Sequence, residues 1–401
     1  MSSAASFPND VVIIGGCGHV GLPLGIALAD RGMRTVLYDI DPEAVATVNS
    51  GRLPFAEAGA QEPLRRANRD RLLHATTEDA SVGTAEHVVV VIGTPVDEHL
   101  NPDPNAIPRA LGRCSEHLRD GQLVVLRSTV YPGVTGMVER MLGDLGVDAD
   151  VAFCPERIAE GRAMVELYEL PQIVAGRTDR ARSRAEKLFR VLTDTIVTLE
   201  PEEAELAKLF TNVWRYIKFA TANQLYMMAN DFGLDFERIR QALAYDYPRA
   251  ADVPPAGFAA GPCLLKDTMQ LAAFNNNNFT LGHAATLVNE GLPLYVVARL
   301  EERFDLAAMT VGILGMAFKG ESDDIRASLS YKLKRILKFK AADVLTTDPH
   351  VTVDDDLIPQ EEVLQRSDLL IVGAPHDAYR GLETDLPVAD IWNVVGRGVR
   401  V

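Results

Sequence analysis

Val11-Val-Ile-Ile14, then Gly15-Gly-Cys-Gly-His-Val-Gly21, an apolar-periodic stretch to Asp30, and Thr35-Val-Leu-Tyr38 closed by Asp39 form the stretch that decides the fold. Read in order it is strand, glycine turn, helix and strand, a βαβ unit with a parallel pair. Gly16-x-Gly18-x-x-Gly21 follows the first strand directly and opens the helix, with Asp39 ending the second strand 18 residues beyond Gly21. The first glycine is expected to make the turn. The second lets the backbone, with His19 and Val20, approach a pyrophosphate at the positive end of the helix, and the third allows close helix–strand packing. Asp39 is placed to accept from both hydroxyls of a ribose and to repel a 2′-phosphate, so the expected cofactor is NAD rather than NADP.

Outward from this unit, apolar β-rich runs recur at Val88–Ile92, Leu123–Leu126, Val151–Phe153 and Gln172–Val174, separated by helical patterns. That alternation belongs to a doubly wound parallel sheet covered on both faces, filling roughly the first 200 residues. From Pro201 the pattern changes to long helical periodicity, with Leu206, Phe210, Val213, Ile217 and Ala220 recurring at three or four. Short strands return at Thr310–Gly315, Val344–Leu345 and Leu369–Val372. The expected fold class is therefore α/β, with an N-terminal Rossmann-like domain over 1–200, a central helical connector over 201–300 and a smaller C-terminal Rossmann-like domain over 301–401. Asn275–Asn278 reads as a loop or helix end.

The 401 residues are 47% hydrophobic and 24% charged, with a net charge of −16. Those proportions exclude wholesale disorder and fibrous classes. Without a basic run, the negative charge argues against nucleic acid and anionic membrane surfaces as partners. The longest unbroken apolar run, Val88–Ile92, is far short of the roughly 20 residues a membrane helix needs. Cys17, Cys114, Cys154 and Cys263 lie far apart with no C-x-x-C and no nearby His pair, so neither a disulfide framework nor a metal site is expected. Reduced thiols in the cytoplasm are the default.

Three further constellations carry chemistry. Gly261-Pro-Cys263-Leu-Leu-Lys266-Asp267 puts a cysteine among small residues, with a lysine and an acid within a turn, where a thiolate is electrostatically favoured; a buried structural cysteine is the competing reading. Glu205-x-x-Lys208-x-x-x-Asn212 places Lys208 and Asn212 on one helical face, a pair suited to a developing oxyanion, although such a face is more often simply solvated. Ser128-Thr129-Val-Tyr-Pro-Gly133 and Cys154-Pro-Glu156-Arg157-Ile-Ala-Glu160-Gly161 both follow strands of the first domain, at the sheet edge where α/β sites form.

Together these stretches, with Gly93-Thr94-Pro95 and Gly315-Met-Ala-Phe-Lys319-x-x-x-Asp-Asp-x-Arg326, occur in one order along nearly the whole chain. In that order the sequence resembles the UDP-glucose/GDP-mannose dehydrogenase family, the NAD-dependent nucleotide-sugar 6-dehydrogenases. The resemblance implies an NAD-binding N-terminal domain, a central helical region that makes a homodimer and carries the cysteine loop, and a C-terminal domain for a UDP-sugar. It implies oxidation of a sugar CH₂OH to the carboxylate by two NAD molecules, through a thiohemiacetal and a thioester on Cys263. Lys208 and Asn212 then match an oxyanion-stabilising pair, Glu156 a catalytic acid/base, and Thr129 and Asp267 residues that position water. Thr94, Thr129, Glu160 and Lys266 fall on the cofactor. Glu156, Arg157, Glu160, Lys208, Asn212, Arg249, Gly257, Lys319 and Arg326 fall on the substrate.

The chain departs from the family pattern at Ala260-Gly261, where Gly-Gly is usual, at Pro262, and at Gln224, where many members carry Glu. Arg157-Ile158 after Glu156 resembles the UDP-N-acetylhexosamine branch. Two other activities fit the same fold: a nucleotide-sugar-binding protein without catalysis, and a two-electron NAD-dependent alcohol or hydroxy-acid dehydrogenase. The three differ in the NADH formed per sugar, zero and one for these two against two for the four-electron enzyme.

Overall fold

The computed structural model describes residues 7–94, 96–97, 99–398 and 401, so Pro95 of the Gly93-Thr94-Pro95 motif lies outside the described residues. The chain falls into two compact units, Met1–Phe210 and Thr211–Val401. Apart from its first ten residues, the central region expected over 201–300 shares the second unit with the C-terminal strands. Among the described residues no helix is long and apolar enough to cross a membrane.

The first unit is built on β1 (Asn9–Ile14), β2 (Thr35–Tyr38), β3 (Leu73–Thr76), β4 (Ala85–Val90), β5 (Leu123–Leu126), β6 (Asp150–Phe153), β7 (Gln172–Ala175) and β8 (Ile196–Leu199). They form one sheet in the order β3-β2-β1-β4-β5-β6-β7-β8. Strands β1 to β6 run parallel; β7 meets β6 antiparallel and carries β8 parallel to itself. The period of two in β1 sends Val11 and Ile13 into the core on one face and Val12 and Ile14 into the core on the other. Burial on both faces is why the inner strands read as unbroken apolar runs. The edge strands Leu73-His-Ala-Thr76 and Ile196-Val-Thr-Leu199 lack that run and were not expected from the sequence.

One expectation about the glycine turn is corrected. The left-handed residue is Gly15, at φ +79°, and not Gly16. Gly16 is needed for contact, since a Cβ there would stand 2.7 Å from Leu37 Cα. At Gly21 a Cβ would stand 2.3 Å from the Gly15 carbonyl oxygen, which is the close approach expected of the third glycine.

In the second unit β9 (Thr310–Leu314), β10 (Asp343–Thr347), β11 (Leu369–Val372) and β12 (Val388–Ala389) form a parallel sheet in the order β10-β9-β11-β12. The helices Leu264–Phe274 and Thr280–Glu301 precede it. Asn275 ends the first of them, and Asn276 and Asn277 turn with φ +52° and +57°, so the asparagine tetrad is a helix end.

Along the helix Pro201–Asp231 the predicted apolar stripe is buried at Val213 and Ala220 and partly buried at Leu206 and Ile217, while Phe210 is exposed. Glu205, Lys208, Asn212, Asn223 and Asn230 are buried, whereas Phe210, Trp214, Leu225, Met228 and Phe232 are exposed, Phe232 at 83%. Its buried polar groups are held by partners. Glu205 accepts from the backbone N–H of Gly133 (2.6 Å) and Thr135 (2.8 Å) and from the Thr135 hydroxyl (2.6 Å), receiving the first turn of the helix Val134–Asp144. Burial raises the pKa of this carboxyl above the usual range, with the three donors opposing the shift. A raised folded-state pKa means the stability linked to its proton is present in acid and lost as pH rises through that value. Glu205→Gln, which retains only one acceptor oxygen, is expected to cost about 1–3 kcal/mol in urea unfolding, more at pH 5 than at pH 7.5. A cost that grows toward pH 7.5 would contradict the assigned environment.

Candidate active site

In the first unit the site lies at the carboxyl ends of β1, β2, β4, β5 and β6, across the point between β1 and β4 where strand order reverses. Asp39, just past β2, accepts from the backbone N–H of Cys17 through Oδ2 (2.9 Å) and from that of Asp41 through Oδ1 (3.2 Å). The helix Gly21–Asp30 starts after Val20 with no side-chain cap, and Gly18 is exposed beside it. An uncapped helix start, an exposed glycine backbone and an acid at the next strand end together fit a dinucleotide. Gly16, Gly18, His19, Val20, Gly21 and Asp39 would hold NAD.

His19 packs against the Phe55 ring at a centroid distance of 4.0 Å, and its Nδ1 stands 3.5 Å from Glu160 Oε1. Thr94 donates its hydroxyl to the Thr129 carbonyl at 2.7 Å, joining the loops that follow β4 and β5. Glu156 is buried, and Arg157 donates from its guanidinium to the Pro171 carbonyl. Burial lowers the pKa of Arg157, with the neighbouring Glu156 carboxylate acting in the opposite direction. Lys208 is buried, one turn ahead of Asn212 on the same helix.

The second unit gathers the cysteine cluster. Cys263 is exposed at the start of the helix Leu264–Phe274, which has no side-chain cap. Its carbonyl accepts from the Asp267 backbone N–H at 2.9 Å. Asp267 is fully buried; Oδ2 accepts from Asn212 Nδ2 at 2.5 Å and Oδ1 lies 2.8 Å from Lys266 Nζ. The other three cysteines are buried. Burial pushes the Cys17 thiol up to about 12, with Asp39 adding to the shift, and pushes Cys154 up to about 12 as well. Burial raises Cys114 too. A thiol held protonated makes a poor nucleophile, and Cys263, exposed at a helix start, is not so buried.

The loop leading to Cys263 is pinned by groups that sequence reasoning missed. Asn223 accepts from the Gly257 N–H and donates to its carbonyl, both at 2.9 Å. A Cβ on Gly257 would fall 2.1 Å from Trp392, and one on Gly261 2.7 Å from Phe318. Gly257, expected on the substrate, thus has both its main-chain groups engaged by Asn223. Gly261 seats the cysteine loop on the Phe318–Lys319 segment, where Lys319 Nζ stands 5.5 Å from the Phe318 ring centroid. Arg326 makes a bidentate pair with the buried Asp324 (2.5–2.9 Å). Arg249 is exposed and bonds to the Tyr247 hydroxyl at 2.9 Å.

Also unforeseen is Asp348, directly after β10, the counterpart of Asp39 in the smaller sheet. It accepts from the backbone N–H groups of Met316, Ala317, His350 and Val351 and from Nε2 of the buried His376 at 3.0 Å. His376 Nδ1 lies 3.0 Å from the Glu321 backbone N, with Nε2 turned to Asp348. Burial acts to raise the Asp348 pKa, but the His376 bond and the backbone donors outweigh it and hold the carboxylate well below its usual range.

Two Rossmann-like sheets, a glycine turn with its acid and an exposed cysteine at a helix start define an NAD-dependent dehydrogenase. Comparison with known proteins agrees. The NAD binding domain of the UDP-glucose/GDP-mannose dehydrogenase family matches residues 9–193, its central domain 202–291 and its UDP binding domain 312–397. The chain belongs to that family. It is 29% identical over 397 residues to the UDP-N-acetyl-D-mannosamine dehydrogenase of Pyrococcus horikoshii, covering 96% of this chain and 92% of the relative. The solved structure of the enzyme given as UDP-D-ManNAc dehydrogenase from that organism superposes with a TM-score of 0.90 at 27% identity, covering 97% of each chain. A UDP-glucose dehydrogenase structure from Pyrobaculum islandicum also gives 0.90 at 28% identity, covering 100% of this chain and 98% of the other.

Cys263→Ser is expected to retain NADH binding by fluorescence titration while carboxylate formation is lost, because serine is the poorer nucleophile and its alkoxide the poorer leaving group. Full carboxylate production by that variant would remove Cys263 from the chemistry.

Proposed function

We propose that this chain oxidises the C6 primary alcohol of a UDP-sugar to the carboxylate, with UDP-N-acetylhexosamines ahead of UDP-glucose. The observation that carries the reading is Cys263, exposed at an uncapped helix start above the Asn212–Asp267–Lys266 cluster. When bound, NAD accepts the hydride lost in each of the two oxidations. The Cys263 thiolate forms a C–S bond to the aldehyde carbon, keeping it on the enzyme between the two steps. After the second oxidation water adds to the thioester carbon, the C–S bond breaks, and carboxylate and thiol are released. Asp267 accepts one hydrogen of the Asn212 amide, which fixes its NH₂ end, and the second N–H with the Lys208 ammonium donates to the oxygen that becomes negative. Thr129 and Asp267 orient the water, Glu160 and His19 line the cofactor, and Lys319, Arg326 and Arg249 balance the anionic diphosphate. The reaction needs a thiol that stays reduced, and a reducing compartment such as the cytoplasm supports that reading.

The sugar preference rests on Arg157. One edge of its guanidinium is engaged by the Pro171 carbonyl, and the remaining donors can meet an acetamido oxygen in fixed geometry. The exposed stripe of Trp214, Leu225, Met228 and Phe232 gives the chain a face for a second copy, as a homodimer. Light scattering of the full chain is expected to give twice its mass, and Phe232→Asp to shift it toward one; a monomeric wild type overturns the pairing.

Two NADH are expected per sugar consumed, with a higher kcat/KM for UDP-N-acetylglucosamine or UDP-N-acetylmannosamine than for UDP-glucose and GDP-mannose. Zero or one NADH would leave the binding-protein or the two-electron activity in its place. A much higher kcat/KM for UDP-glucose, or an equal loss for both sugar types in Arg157→Phe, would overturn the role of Arg157.

A further inference from the structure

Three loops leave the carboxyl ends of neighbouring strands in the second sheet, and each carries a side chain able to hold a metal ion. Glu321 follows β9, His350 follows β10 and His376 follows β11. They surround the point between β9 and β11 where strand order reverses, the place where sheets of this kind take ligands. One donor atom from each of the three lies within 4.8 Å of the other two. His350 Nε2 stands 3.6 Å and His376 Nδ1 3.8 Å from the same oxygen, Glu321 Oε1. The two imidazole rings are 4.9 Å apart between centroids and tilted by 52°. The histidines come from separate loops, so their spacing along the chain gives no sign of a ligand set.

Separations of 3.6 and 3.8 Å are too long for hydrogen bonds, so the three groups converge without satisfying one another. They are close to the spacing of ligands around zinc, where bonds of about 2.0–2.2 Å in a tetrahedron set neighbouring ligand atoms about 3.4 Å apart. Glu321 and His350 lie at the surface and can close the small difference. His376 is the fixed corner. It is buried, its Nε2 stands 3.0 Å from Asp348 Oδ2, and Asp348 also accepts from the backbone N–H of His350 at 2.8 Å. A carboxylate on the far nitrogen is the arrangement that orients metal-bound histidines. It turns Nδ1 toward Glu321. That nitrogen lies 3.0 Å from the Glu321 backbone N, and an ion on it displaces the N–H, which on an exposed residue meets water. Glu321 Oε1 in turn accepts from the Asp377 N–H at 2.8 Å, which steadies the carboxylate.

We propose that Glu321, His350 and His376 form a binding site for a divalent cation of the zinc class, with Asp348 positioning both histidines. Two imidazoles and one carboxylate suit zinc, whereas magnesium asks for oxygen ligands alone. Three protein ligands leave a fourth position open to water or to an oxygen of an anionic ligand. When filled, the site ties together the loops after β9, β10 and β11. It is independent of the oxidation described above, because it uses none of the groups assigned there and its test reads metal rather than turnover.

Calorimetric titration of the untagged, metal-free full chain with zinc chloride tests the site, in a Cys263→Ser background so that the exposed thiol takes no metal. Against that parent, His350→Ala and Glu321→Gln are each expected to weaken zinc binding more than about tenfold, since even an outer partner of a ligand is worth about 10- to 100-fold. His350 lies at the surface and Glu321→Gln keeps an oxygen for the Asp377 N–H, so both variants are expected to keep the metal-free melting temperature. Excess zinc is expected to raise the melting temperature of the parent and to leave that of either variant nearly unmoved. A parent that binds no zinc with the ion in excess overturns the site. Zinc affinity in either variant equal to the parent's, or magnesium bound by the parent as tightly as zinc, overturns it as well.

Discussion

The structure depends on a helix that buries polar side chains. Along Pro201–Asp231, Glu205 receives the start of the helix Val134–Asp144, Asn212 bonds Asp267, one turn on from Cys263, and Asn223 grips both main-chain groups of Gly257. Asn230 accepts from the Val401 N–H at 2.9 Å and donates to the Tyr295 hydroxyl at 3.0 Å. Each buried amide or carboxylate must find its bonds or carry a desolvation penalty of about 1–3 kcal/mol, so each selects one arrangement of the segment it meets. Apolar contacts would have tolerated slippage along the helix. Directional bonds do not, and they hold each segment in register.

The same economy of bonds separates the two sheets. Both end their second strand in an aspartate beside a glycine turn, Asp39 after β2 and Asp348 after β10. Asp39 accepts two backbone N–H groups and is half-buried, which leaves lone pairs toward the crevice. Asp348 accepts four backbone N–H groups and the imidazole of His376. An acid so engaged cannot also take the hydroxyls of a ribose. Two sheets of similar topology are thereby suited to different ligands, in keeping with the NAD-binding and UDP-binding domains of the family.

Environment also sorts the chemistry among residues of one type. Four cysteines are equivalent on paper, and burial holds three of them as thiols while Cys263 stands at an exposed helix start. Of the acids on the loop after β6, Glu156 is enclosed by Arg127 and by the N–H groups of Arg157 and Ile158, and Glu160 reaches His19.

The βαβ opening, the glycine fingerprint with Asp39, the inner strands and the motif order were legible in the sequence by itself, because each is a local pattern. Burial on both faces writes an unbroken apolar run, and backbone contact writes a glycine. Edge strands β3 and β8 escaped because a strand with one neighbour need not be continuously apolar. In the long helix periodicity found Val213 and Ala220 in the core but not the exposure of Phe210 or the burial of Asn223 and Asn230, since it reports that an apolar stripe exists and not what covers the rest of the surface. Only the tertiary structure decided that Gly15 rather than Gly16 is left-handed, that Arg127 encloses Glu156, that Asn223 and Trp392 hold Gly257, and that His376 completes Asp348. Those pairs join residues from 28 to 135 positions apart. Nothing in a local window records a hydrogen bond across such a separation; it exists only once the chain has folded and water has left the polar groups with one another.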